Sequence, residues 1–187
     1  MRLPALTELS ARQKEISDRI SARRGGTRGP FLVWLRSPEL CERVEALGAY
    51  CRFESALDPR IRELSLLIAA RVFDAQYSWN AHVGQAASLG VSGEALAELA
   101  EGKEPRFVRR DEEVAYRFST EILRDHFVSD STFAAALGEF GEAGLVDLIG
   151  SLGNYSMLAM LLNAFQVDLQ DVPPPFPDVR GYAKAAP

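Results

Sequence analysis

Apolar residues recur along this chain at helical spacing, and no stretch shows clean apolar–polar alternation bounded by hairpin turns. Over residues 7–24, Leu9, Ile16 and Ile20 punctuate a mostly charged sequence, which predicts an amphipathic helix resting on another element. Gly25, Gly26, Gly29 and Pro30 break it, and 31–35 follows as a short apolar segment. Ser37-Pro38-Glu39 and Asp58-Pro59 both read as helix starts, a capping side chain followed by proline at the first helical position. Helices are therefore expected from 38 to about 55 and from 59 to about 73. The pattern continues with helices from 74 or 75 to about 90, 92–100, 111 (capped by Asp111) to about 127, and 129 to about 140. Residues 142–165 are so apolar that they read as the central buried helix. Residues 101–110, with Gly102 and Pro105, form the main internal loop. Pro173, Pro174, Pro175 and Pro177 predict an extended tail over 171–187 that wraps a neighbour. The expectation is an all-α, multi-helix bundle in a single domain spanning 1–187.

At 187 residues the chain is long enough for one well-buried core. Its 21 basic and 26 acidic residues give a net charge of −5, which argues against a nucleic-acid partner. The densest basic cluster, Arg23, Arg24 and Arg28, lacks interleaved aromatics and reads as a helix C-terminus attracting cations. No uncharged apolar run reaches membrane-spanning length, and the N-terminus lacks a signal-peptide core, so no membrane partner and a cytoplasmic location are expected. Cys41 and Cys51 fall ten residues apart on one predicted helix. That is a rise of about 15 Å, beyond disulfide reach. With only His82 and His126, and neither a CxxC nor an HxxxH pair, a metal site is not expected.

Three stretches could carry chemistry. In the first, Glu63, Leu66, Leu67 and Ala70 share a helical face, which sets a carboxylate among core residues. It needs a partner there, and Arg60, Arg62 and Arg71 are the neighbours available. Pairing with arginine near a helix start explains the same residue without any chemistry. In the second, Trp79, His82 and Ala86 share a face, and Ser78 precedes His82 by one turn. A histidine near a buried carboxylate is a stronger candidate than a lone one, because the acid can fix its tautomer. In the third, Asn154 and Tyr155 interrupt an apolar helix, so they either bond within the core or face a pocket. His126, at a helix end, reads as a cap.

Taken together, these stretches resemble the carboxymuconolactone decarboxylase family of the alkylhydroperoxidase D-like superfamily. The resemblance runs from Arg62-Glu63-Leu64 through Trp79-Asn80-Ala81-His82-Val83 to Leu89-Gly90-Val91-Ser92. Upstream it takes in Gly29-Pro30-Phe31 and Ser37-Pro38-Glu39-Leu40; downstream, Asp125-His126 with Val128-Ser129-Asp130, then Gly153-Asn154-Tyr155 and Met157-Leu158-Ala159-Met160. It spans most of 29–168, with a family core at about 58–140. In the peroxidase branch a glutamate is followed by a CxxC motif and a histidine. Here Glu63 and His82 match the outer members, but Ala75 and Ser78 occupy the cysteine positions. Neither can form a thiolate, which sets an antioxidant, peroxidase-type activity aside.

What the resemblance implies is an alkylhydroperoxidase D-like helical bundle and a cofactor-free enzyme acting on a small lactone or related cyclic carbonyl compound. His82 would be the acid–base residue and Glu63 would orient it. Trp79, Phe31 and Tyr155 would supply apolar wall, Ser78 and Asn154 donors to a carbonyl oxygen, and Arg71 or Arg62 a contact to a substrate carboxylate. A homo-oligomer (dimer, trimer or hexamer) is implied as well. A non-catalytic, oligomeric binding protein is the alternative left by the loss of both cysteines.

Overall fold

The computed structural model describes residues 1–169, 174–176 and 179, so most of the tail expected over 171–187 lies outside the described residues. The described residues form eight α-helices and no strand. α1 (Ala11–Arg24) starts at Ser10, whose hydroxyl accepts from the Gln13 N–H while the Gln13 side chain accepts from the Ser10 N–H. It ends at Gly25 in the left-handed region (φ 73°). α2 (Phe31–Trp34) is the short apolar segment. The helix expected over 38–55 is α3 (Pro38–Ala49) running directly into a π-helical turn, Tyr50–Glu54.

α4 (Pro59–Val72) is capped by Asp58, which accepts from the Arg60 N–H. α5 (Gln76–Ser88) and α6 (Gly93–Ala100, capped by Ser92) follow. α7 (Arg110–Thr120) ends in a second π turn, Glu121–Asp125. Asp111 lies inside its first turn rather than at the cap, because its carboxylate is engaged by Arg60 at 2.5 Å. α8 (Asp130–Phe165) is broken at Gly141 (φ 65°, ψ 177°), the boundary expected between the last two helices.

The centre of the molecule is α4, buried nearly end to end and packed on α5, α7 and α8. This corrects the reading of 142–165 as the central helix. α8 is apolar all round, but only one side lies on the core; Val146 (71%) and Met160 (53%) stand open to solvent. α8 has the length and hydropathy of a membrane span, as the core helix of a folded domain also can, and half of its most apolar window is buried against the protein.

Leu64, Leu67, Trp79, Leu148 and Tyr155 belong to a main core around α4. Ile16, Ile20, Val33, Val44 and Leu162 form a second, smaller one between α1, α2, α3 and the end of α8. Arg60 ties α7 to α4 by pairing with Asp111 and with buried Glu112, the latter at 2.7 Å. Of the tail, Phe176 is buried on its own subunit, edge-on to Trp79 at 5.2 Å and beneath the Arg71 guanidinium at 4.9 Å. At that residue the tail packs on its own chain.

Candidate active site

The turn between α4 and α5 is tight, with Asp74 in the left-handed region (φ 52°), and it folds α5 back along α4. Glu63 and His82 stand at slightly different distances from this turn, an offset of about 3 Å along the helices. The long glutamate side chain spans it: His82 Nδ1 lies 2.8 Å from Glu63 Oε2. Both side chains are largely sequestered, at 13% and 8% exposure. The other ring nitrogen, Nε2, makes no hydrogen bond to the described residues.

His82 stands in the wall of a cavity of about 210 Å³ at the seam between the two cores. Phe31, Ser78, Asn154 and Tyr155, all expected at the site, line it too. Burial, reinforced by Glu63, pushes the Tyr155 phenol well above its ordinary value, so it stays a neutral hydroxyl. The Tyr155 and His82 rings meet edge-on at 6.4 Å. Ser78 Oγ is buried without a partner, and the Asn154 amide has none among the described residues, so the helix-interior pair of Asn154 and Tyr155 faces a pocket.

Three residues expected to contact the substrate, Trp79, Arg71 and Arg62, are not in this wall. Trp79 is a core residue packed on Phe176, because the α5 face carrying it turns toward the tail. Arg71 bonds Asp74 and the Ala100 carbonyl and covers the same phenylalanine. Nor do the nearby arginines serve Glu63. Arg60 is committed to Asp111 and Glu112, while Arg62 donates to the Leu57 and Arg52 carbonyls. The imidazole is the partner the carboxylate needed.

Residues that sequence reasoning missed complete the wall. Trp34 was hidden in a short apolar segment, and Arg24 in a basic cluster read as a helix end. Arg52 carried no signal, because the π turn after α3 shifts its side chain off the 3.6-residue repeat. The cysteines lie outside the lining, and both are buried and free. Burial, with Glu45 adding to it, pushes the Cys41 thiol up to about 11; burial also raises Cys51. Neither favours a thiolate. Among the described residues no group of three or more His, Cys, Asp or Glu side chains could hold a metal ion.

With eight α-helices among its described residues, the chain takes the form of an all-α, multi-helix bundle. Residues 38–106, which include α4 and α5, match the Carboxymuconolactone decarboxylase family, bearing out the resemblance read from the sequence. That match begins upstream of the expected core and ends before α7. An uncharacterized peroxidase-related protein from Silicibacter sp. TM1040 is structurally similar, with a TM-score of 0.73, 14% identity and 90% of each chain covered. So is a protein of unknown function from Agrobacterium tumefaciens, proposed there to be an antioxidant defence protein AhpD. Its TM-score is 0.64 at 17% identity, over 74% of this chain and 96% of that one. At such identities the likeness is one of fold. No curated protein matches the sequence.

Proposed function

We propose that this protein is an acid–base enzyme needing no cofactor, acting on a small lactone or related cyclic carbonyl compound by decarboxylation, isomerisation or hydrolysis. The observation that carries the reading is the 2.8 Å contact between His82 Nδ1 and Glu63 Oε2 at the wall of a half-open cavity. A carboxylate can only accept there, so the Nδ1–H points at Glu63, and it is the neutral form of the ring that offers the Nε2 lone pair to a substrate. A base so placed can take a proton from a carbon conjugated to a carbonyl and return it elsewhere on the same substrate. Ser78 Oγ, the Asn154 amide and the neutral Tyr155 hydroxyl are donors for the oxygen that gains charge as the proton leaves. Phe31 supports the reading as apolar wall. A cytoplasmic homo-oligomer is part of the same proposal, and exposed Val146, Ile149 and Met160 on α8 are apolar surface for such assembly.

The test reads proton transfer directly, before the natural substrate is known. Unsaturated γ-lactones incubated with the protein in deuterated water should exchange the hydrogens flanking the carbonyl, followed by NMR. His82→Gln should slow exchange by about a hundredfold or more, the usual contribution of a general base. Glu63→Gln should slow it less, because the imidazole remains but loses the group that orients it. A His82→Gln protein that exchanges at the wild-type rate overturns the assignment. Ligand binding with no exchange in the wild type would make this a binding protein instead.

A further inference from the structure

We propose that Arg52, with Arg24 beside it, forms a carboxylate-binding subsite at the mouth of the His82 cavity, and that Trp34 Nε1 and Ser78 Oγ serve a second acceptor on the same small organic anion. This names the substrate class for the site read above, and rests on that reading only for what His82 then does.

The cavity wall carries Arg24, Arg28 and Arg52 but no carboxylate, in a chain whose net charge is −5. The nearest acid to this cluster, Glu45, lies 3.4 Å from Arg24 and is shared with Arg23 at 3.5 Å. Arg28 donates to the Gly25 carbonyl. Arg52 has no ion pair among the described residues; its guanidinium lies 5.3 Å from the Phe53 ring centroid, with that of Arg24 at 5.7 Å from the same ring. Burial lowers the Arg24 pKa, and the charge of Arg52 works in the same direction against Glu45. Two cations gathered on one ring and short of counter-charge repel each other, and a bound anion relieves that repulsion. The π turn that presents Arg52 is a local irregularity of the kind that recurs at functional sites.

A matching requirement appears in the inner wall. Trp34 and Ser78 are 8% and 5% exposed, and both Trp34 Nε1 and Ser78 Oγ are buried without a hydrogen-bond partner. The indole nitrogen is a donor only, so the group that satisfies it must be an acceptor. Val44, Leu158 and Phe31 leave room between them for an apolar body. At about 210 Å³ the space exceeds the roughly 150 Å³ that accommodates a benzene ring, so a single-ring carboxylate fits.

Benzoate and its neutral counterpart benzamide are suitable probes, titrated calorimetrically and by NMR of the His82 imidazole. Benzoate should bind and shift the imidazole resonances, with benzamide at least tenfold weaker. Arg52→Gln should weaken benzoate by about ten- to a hundredfold, the scale of one charged hydrogen bond, and leave benzamide unchanged. Arg52→Lys should retain the preference for the anion. Benzoate has no second acceptor, so Trp34→Phe should leave its affinity within about twofold, whereas 4-formylbenzoate, which has one, should lose affinity severalfold. His82→Gln should keep benzoate affinity within about twofold, so loss of turnover and loss of the anion subsite are separate results. Equal affinity for the two probes, no benzoate binding by the wild type, or unaltered affinity in Arg52→Gln overturns the proposal.

Discussion

At the residue scale, the geometry around His82 depends on a few positions where the backbone leaves no freedom. Gly29 has φ +57°, and a Cβ there would sit 2.1 Å from the Tyr77 hydroxyl, itself part of the cavity wall. Gly29→Ala is expected to destabilise the fold by about 1–2 kcal/mol through backbone strain alone, and by more because Tyr77 must move. Denaturant unfolding measures the loss; an unchanged midpoint would show that the loop yields freely. Gly48 is the contrasting case. A Cβ there meets Arg24 and Asn154 at 3.7 Å, ordinary contact distance, inside a helix. Gly48→Ala should keep or raise stability, by up to about 1 kcal/mol, while narrowing the cavity. Lower affinity for benzoate at undiminished melting temperature is the expected pair of results.

At the scale of elements, α4 joins the catalytic candidate to the rest of the bundle. It carries Glu63 toward α5, and through Arg60 it holds α7 by a buried pair with Glu112 (2% exposed) and a partly buried one with Asp111. Burial would raise the Asp111 carboxyl; the hydrogen bonds from Arg60 and Arg109 outweigh it and hold the group below its ordinary value. Arg60→Met removes the cation and leaves Glu112 buried without it, which is expected to cost about 3–5 kcal/mol. The companion change Glu112→Gln in the same background should recover part of that loss, measured as a double-mutant cycle. Simple additivity of the two would show that the pair is not coupled. The Glu63–His82 contact was legible as a candidate because both residues belong to α-helical runs whose faces a 3.6-residue repeat defines. Trp79 and Arg71 were misplaced for a related reason. A helical repeat says which residues share a face, but not which neighbour that face meets, and here the neighbour is Phe176.

At the scale of the whole molecule, the smaller core depends on α1 lying against α3. Ile16 and Ile20 supply the apolar contact, worth about 1.5–3 kcal/mol for each side chain fully buried. Around them Arg12 pairs with Glu39 and Glu42, and Arg19 with Glu42. Hydrogen bonds from Arg12 hold Glu39, and from Arg19 hold Glu42, below the usual glutamate value near 4.5. A carboxylate lowered in the folded state stabilises it above the unfolded value, and that contribution fades as pH falls through the folded one. Acidification below about pH 4.5 should therefore loosen α1 before the α4 core melts, and added salt should shrink the effect. Trp34 lies in the smaller core, so its fluorescence in a Trp79→Phe background follows the event while circular dichroism reports the remaining helices. Coincident changes in the two signals would mean that α1 has no separate stability.

Apolar spacing, proline at helix starts and capping side chains determined the all-helical fold and nearly every helix boundary, because each acts within a few residues of itself along the chain. The same local logic marked Glu63 and His82, and Asn154 and Tyr155, as groups out of keeping with their apolar surroundings. Tertiary structure alone decided that α4 rather than α8 is the enclosed helix, since an apolar sequence shows that a helix can be buried but not how many neighbours it will have. It alone gathered Arg24, Arg52 and Trp34 onto one cavity. These residues come from three separate segments, and their juxtaposition depends on helix packing and on a π turn that shifts the register, neither of which leaves a periodic trace in the sequence.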